Sequence, residues 1–146
     1  KTQRDKVPLE RELDHVAHYL GIEAMRFRDR LKVVYQMPPE LDHHLVPSML
    51  LQPLVENAIK HGLDNTTGSV TITVSAHAMG DRLFVRVSDN GKGTSDVYHA
   101  MENGGIGLRN VRERLRLLYG GEATFQITSN PGTGFIVELS MPIERL

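Results

Sequence analysis

Nine of the 13 glycines in this chain of 146 residues fall between Gly91 and Gly134. They lie in the clusters DNGKG (89–93), NGGIG (103–107), YGG (119–121) and PGTG (131–134), each beside an apolar, periodic run. Total glycine content is near average, so it is the position of the glycines that is unusual. Glycines bunched at element junctions bring backbone close to something, either other backbone or a ligand. The second half of the chain therefore has to make close approaches at the ends of its strands and helices.

The periodic runs between those junctions give the element order. Residues 9–29 place Leu9, Leu13, Val16, Leu20 and Phe27 at helical spacing against a charged opposite face. Residues 31–37 alternate Leu31, Val33, Tyr35 and Met37 as a strand, which Pro38 and Pro39 stop. Residues 47–61 read as a mostly buried helix, with Pro47 in its first turn and Gly62 at a left-handed cap. Pro53 then either kinks that helix or marks a short turn before a main helix starting near Gln52. Two alternating runs, 69–78 and 82–88, are joined at Met79-Gly80-Asp81 as a tight hairpin. After a polar, Gly-containing loop over 90–104, residues 106–119 form a second amphipathic helix with Ile106, Val111, Leu115 and Leu118 inward. Strands 122–129 and 134–142 flank the turn NPGTG. Hairpin-linked strands make the sheet mixed and largely antiparallel, and helices on one face complete a two-layer α/β sandwich.

Composition narrows the function. Apolar residues are 40% and charged residues 24%, ordinary for a globular domain. A formal charge of −1 argues against a nucleic-acid footprint or a polybasic membrane patch. With no cysteine, disulfide and thiolate chemistry are excluded. His15 and His18 read as exposed helix positions. His43, His44, His77 and His99 read as ordinary surface or loop residues, with no metal-ligand spacing.

Four segments can carry chemistry. In DNGKG, a valine-rich strand runs straight into Asp89, whose carboxylate is costly there unless it accepts hydrogen bonds. Gly91 and Gly93 clear space for a planar group, so Asp89 can accept from an exocyclic amine such as that of adenine. A plain post-strand turn has the same composition. In GGIGLRN (104–110), Gly105 and Gly107 stand where a helix begins, and free N–H groups with the helix dipole form an anion site or an ordinary junction. In ENAIKHG (56–62), Asn57, Lys60 and His61 share a helix face at i, i+3 and i+4. Asn57 offers a hard oxygen for Mg²⁺ and Lys60 a point charge for phosphate, or the segment is a helix end dipping into solvent. NPGTG (130–134) is a satisfactory hairpin turn in its own right.

Taken in order, LQPLVENAIKHG, SDNGKG, GGIGLRNVRERL and NPGTGFIVELSMP resemble the N, G1, G2 and G3 boxes of the ATPase superfamily of gyrase, heat-shock chaperones, histidine kinases and mismatch-repair proteins. Gln52-Pro53 before ENAIKHG, and YLGIEAMRFRDRL (19–31), are most similar to LytS-like sensor histidine kinases. The resemblance implies a histidine-kinase-type ATPase fold over 29–146, with 1–28 a helical connector from an upstream dimerisation domain. It implies Mg²⁺ on Asn57, phosphate on Lys60, and His61 lining the nucleotide. It implies adenine recognition by Asp89 with Gly91 and Gly93. Gly105, Gly107 and Leu108 would border the phosphates, and Gly132, Thr133 and Gly134 the adenine side. Residues 94–104 would form a mobile lid over ATP. The implied reaction passes the γ-phosphate to a histidine on a separate helical domain and then to a response regulator. Its setting would be the cytoplasmic part of a membrane-anchored sensor.

Three departures matter. Gyrase-like and chaperone-like members carry a water-activating carboxylate four residues before the box asparagine, where this chain has Pro53. That suits a kinase, which should avoid hydrolysis. Glu56 is the remaining candidate for a catalytic carboxylate, but it stands about 100° from Asn57 around the helix. Phe135 follows Gly134 where many histidine kinases have Ser or Thr. No Pro-His-Phe-type phosphoacceptor segment occurs in the chain. Another ATPase or protein-serine kinase of the superfamily, or a non-catalytic nucleotide-binding module, is the alternative to a histidine kinase.

Overall fold

The computed structural model describes residues 6–63, 68–94, 96 and 106–146, with only the backbone of Ile106. Among the described residues, five strands form the main sheet: β2 (Leu31–Gln36), β4 (Val70–Met79), β5 (Arg82–Asp89), β6 (Thr124–Ser129) and β7 (Phe135–Pro142). Their spatial order is β2-β4-β5-β7-β6, with β2 parallel to β4 and the other pairs antiparallel. The parallel pair follows from chain order, since a helix separates β2 from β4 while a tight turn joins β4 to β5.

Period-two alternation gives the sheet one apolar face. Val70, Ile72, Val74 and Ala76 of β4, Leu83, Val85 and Val87 of β5, and Val137, Leu139 and Met141 of β7 are all buried. The helices α1 (Leu9–Phe27), α2 (Leu51–Gly62) and α3 (Ile106–Tyr119) complete the same core. From α1 come Leu9, Val16 and Leu20, from α2 Leu54, Val55, Ala58 and Ile59, and from α3 Leu108, Val111 and Leu115. The two-layer sandwich expected from the sequence is the observed architecture.

Three local expectations are corrected, and the alternative left open at Pro53 is decided. Pro47 does not start a helix. It closes β3 (Leu45–Pro47), which pairs antiparallel with β1 (Lys6–Pro8), and three-residue strands are too short to show alternation. Of the two readings of Pro53, the second holds: a turn precedes a main helix that begins at Leu51, beside Gln52, so Pro53 is its third residue. The N–H that proline lacks has no intrahelical acceptor in the first turn, so no kink is needed. Gly62 is not a left-handed cap but the last helical residue of α2, and Leu63 N–H donates to Ile59 O at 3.0 Å. His44 is not a surface residue. It is 4% exposed and lies where the C-terminal residues cross the start of β3.

Candidate functional site

Asp89 is the last residue of β5, on the strand face that points into the core. The residue is 8% exposed, and among the described residues its carboxylate accepts the Gly91 N–H at 2.8 Å. Burial pushes its pKa up to about 6, and the Gly91 hydrogen bond acts in the opposite direction. A half-satisfied buried carboxylate is unfavourable for the fold alone, and a donor arriving from a ligand would offset that.

The surroundings of Asp89 are kept clear by close backbone approaches. A Cβ on Gly91 would stand 3.2 Å from Cα of Gly62 and 3.0 Å from Asp89 Oδ1. The C-terminal end of α2 and the turn after β5 therefore touch through two glycines. On the other side, Gly134 has φ +88°, and a Cβ there would fall on the carbonyl oxygen of Asp89. Gly93 likewise could not carry a Cβ without striking Asn130 O. The loops after β5 and after β6 are stitched together: Gly132 N–H donates to Lys92 O at 2.6 Å, and Thr94 N–H to Ser129 Oγ at 2.9 Å. Ser129 Oγ in turn donates to Gly134 O at 2.6 Å. Gly132 and Thr133 are exposed, and Thr133 Oγ1 donates to Asn130 O at 2.8 Å within the hairpin turn.

Helix α2 carries the second set. Asn57 is 9% exposed and its amide makes no hydrogen bond with any described residue. That amide is not among the buried side-chain atoms left without a partner, so it reaches the surface of the site, and its oxygen is the hard donor that Mg²⁺ takes. Asn57 stands five residues before Gly62, about 7.5 Å of helix rise from the Asp89 turn. Lys60, one turn on, is exposed, and His61 is half-buried. Glu56 is exposed and accepts from Gln52 Nε2 at 3.0 Å. Among the described residues no cluster of three or more His, Asp or Glu side chains could hold a metal by itself.

The third set is only partly described. Gly105, and the lid expected over 94–104 apart from Thr94 and Asp96, lie outside the described residues. Gly107 is in the first turn of α3, and a Cβ there would come 3.3 Å from Cβ of Pro53. Its smallness lets α3 pack on the first turn of α2. The side chain of Leu108 is 1% exposed and belongs to the core, so only its backbone is available to a ligand.

Sequence reasoning missed Gly62 as a partner of the Asp89 turn, and Ser129 as the stitch between loops. It also missed Arg30, whose guanidinium donates to Leu63 O and Gly68 O, both at 3.0 Å, at the end of α2. A Gly next to an N-box-like run was the available signal for the first. Nothing local marks the other two.

A helix-covered mixed sheet with these glycine-lined turns at the exit of a central strand is an ATPase domain of the histidine-kinase type. The model for the histidine kinase-, DNA gyrase B- and HSP90-like ATPases matches residues 45–145, and the chain belongs to that family. It is 34% identical over 141 residues to the sensor histidine kinase YesM of Bacillus subtilis (strain 168), covering 96% of this chain and 24% of that protein. It is 37% identical over 135 residues to the sensor histidine kinase YpdA of Escherichia coli (strain K12), covering 88% of this chain and 24% of that protein. The chain thus spans about a quarter of the length of these relatives. Among solved structures it is similar to the histidine kinase domain of a blue-light activated histidine kinase from Erythrobacter litoralis EL346. That match has 26% identity and a TM-score of 0.70, over 94% of this chain and 62% of the other.

Proposed function

We propose that this chain is the ATP-binding kinase domain of a two-component sensor histidine kinase. It would transfer the γ-phosphate of ATP to a histidine on a separate helical domain, for relay to a response regulator. The observation that carries this reading is Asp89, a buried carboxylate at a strand exit with one donor among the described residues and with Gly62 and Gly91 beside it. Family membership and the sensor-kinase relatives support it.

The residues divide the work. Asp89 accepts from the adenine amino group, with Gly91, Gly93 and the 132–134 turn bordering the base. Asn57 would hold Mg²⁺, which when bound offsets phosphate charge. Lys60 adds a flexible ammonium for the same oxygens, and His61 lines the nucleotide. The start of α3, with Gly105, Gly107 and the backbone of Leu108, contributes N–H groups and dipole to the phosphates. Glu56 is the carboxylate of α2 available for proton transfer. Phosphoryl transfer asks mainly for positioning and charge neutralisation, which this set supplies.

No helix among the described residues is long and apolar enough to cross a membrane. In the proposed setting the chain is a cytoplasmic portion of a membrane-anchored sensor, α1 leads from its dimerisation domain, and the chain itself touches neither nucleic acid nor lipid. The test adds a helical domain bearing an acceptor histidine, with Mg²⁺ and γ-labelled ATP. Acid-labile, base-stable label on that domain is the expected result. Label stable to acid, or free phosphate alone, overturns the reading.

A further inference from the structure

Helix α2 is held at both ends by charged groups from the α1 segment. At its start, Glu12 of α1 is 4% exposed. Its Oε1 accepts the N–H of Leu50 at 2.8 Å and of Leu51 at 3.3 Å, and its Oε2 accepts the N–H of Met49 at 2.9 Å. Residue 50, at the cap position, is a leucine and supplies no side-chain acceptor. Met49 has φ +59°, a left-handed conformation that a methionine adopts only when its surroundings hold it. At the other end, Arg30 donates to Leu63 O, the first carbonyl beyond α2. A carboxylate at the N-terminus and a guanidinium at the C-terminus both match the helix dipole.

From this clamp we infer that Glu12 is a positioning residue for the nucleotide site. Its buried carboxylate fixes the first turn of α2, and through that rigid helix it sets where Asn57 and Lys60 stand. A shift of α1 along its axis would therefore be felt at the phosphate end of the site before the adenine end, because Asp89 is carried by the sheet and not by α2. This rests on the proposed nucleotide reading of Asn57 and Lys60.

Glu12→Gln is the informative variant. The amide oxygen can keep the Leu50 and Leu51 bonds, while the charge and the Met49 bond are lost. The inference expects the side-chain amide signal of Asn57 in the ¹⁵N–¹H spectrum to move. It also expects Mg²⁺-ATP affinity to fall about three- to tenfold, with adenosine affinity unchanged. An unmoved Asn57 signal, or equal losses for adenosine and Mg²⁺-ATP, overturns it. If the variant fails to fold, Glu12→Gln with Met49→Gly relaxes the positive φ while leaving the cap charge missing. Mg²⁺-ATP affinity still weakened in that double variant supports the inference, and wild-type affinity overturns it. If the unaltered chain binds neither adenosine nor Mg²⁺-ATP, the nucleotide reading fails by itself. The Asn57 signal then still decides whether Glu12 positions α2.

Discussion

The carbonyl oxygen of Asp89 lies where the side chain of residue 134 would begin, so Gly134 and Asp89 fix each other. The strand that delivers the candidate adenine acceptor can sit this low against β7 only because the residue after the NPGT turn has no Cβ. The backbone of that glycine, at φ +88°, is one that L side chains rarely adopt.

Gly134→Ala should therefore destabilise the chain by about 2 kcal/mol or more, from backbone strain and the displaced Asp89 carbonyl together. The melting temperature should drop by roughly 4–8 °C. Gly80→Ala is the control. It also has positive φ (+63°), but nothing lies within 4 Å of its Cβ position, so only the strain remains. Thermal unfolding of the two variants should rank them in that order, and equal losses would remove the close-approach explanation.

Asp89→Asn should separate stability from binding. The folded-state pKa, about 6, is above the ordinary value of 3.8, so the fold holds its proton more tightly than the unfolded chain does. The stability this provides is present in full below about pH 4 and is lost as pH rises to about 6. Above pH 6 the unliganded chain carries a buried charge, and Asp89→Asn should raise its stability by up to about 3 kcal/mol. The same substitution should weaken ATP binding. In the unaltered chain, ATP affinity should fall as pH drops below about 6, where the acceptor becomes protonated. Denaturation and binding curves from pH 4 to 8 check both signs.

Asn57→Ala should leave stability almost untouched, because the amide makes no hydrogen bond with a described residue that could be lost. If Asn57 holds Mg²⁺, the difference in ATP affinity with and without the ion should shrink by about tenfold or vanish. Calorimetry with Mg²⁺ and with EDTA measures this directly. A full Mg²⁺ effect in the variant removes Asn57 from the metal site.

Gly62→Ala tests the second close approach. Its Cβ would stand 3.4 Å from Val70 Cγ1 and 3.7 Å from the Asp89 carboxylate, ordinary contact distances, and its backbone is helical. The variant should gain about 0.5–1 kcal/mol from helix propensity. It should bind ATP more weakly, since the methyl further desolvates Asp89. Stability and affinity moving in the same direction would contradict this.

The sequence made the sheet readable, because strands with one wet face alternate strictly. Val70, Ile72 and Val74, and Leu83, Val85 and Val87, show the buried set without any structure. It also made Asp89 conspicuous as a charge ending an apolar strand. The parts it hid depend on partners far along the chain. Glu12 and Leu50 are 38 residues apart, so the choice between one kinked helix from Pro47 and a turn before a helix near Gln52 could not be made from the sequence. Leu108 shows the same limit. The resemblance sets it at the phosphates, whereas its side chain fills the core and only the backbone is left for a ligand. His44 offers no periodic signal because it is buried by the C-terminal residues, which arrive from the opposite end of the chain.

The most direct test compares ATP with GTP by calorimetry, each with Mg²⁺. Where adenine has an amino group, guanine has a carbonyl, which would face the carboxylate of Asp89 without a donor. The account predicts measurable ATP binding at neutral pH and GTP binding weaker by about two orders of magnitude. Equal affinity for the two nucleotides, or no binding of either, would contradict it.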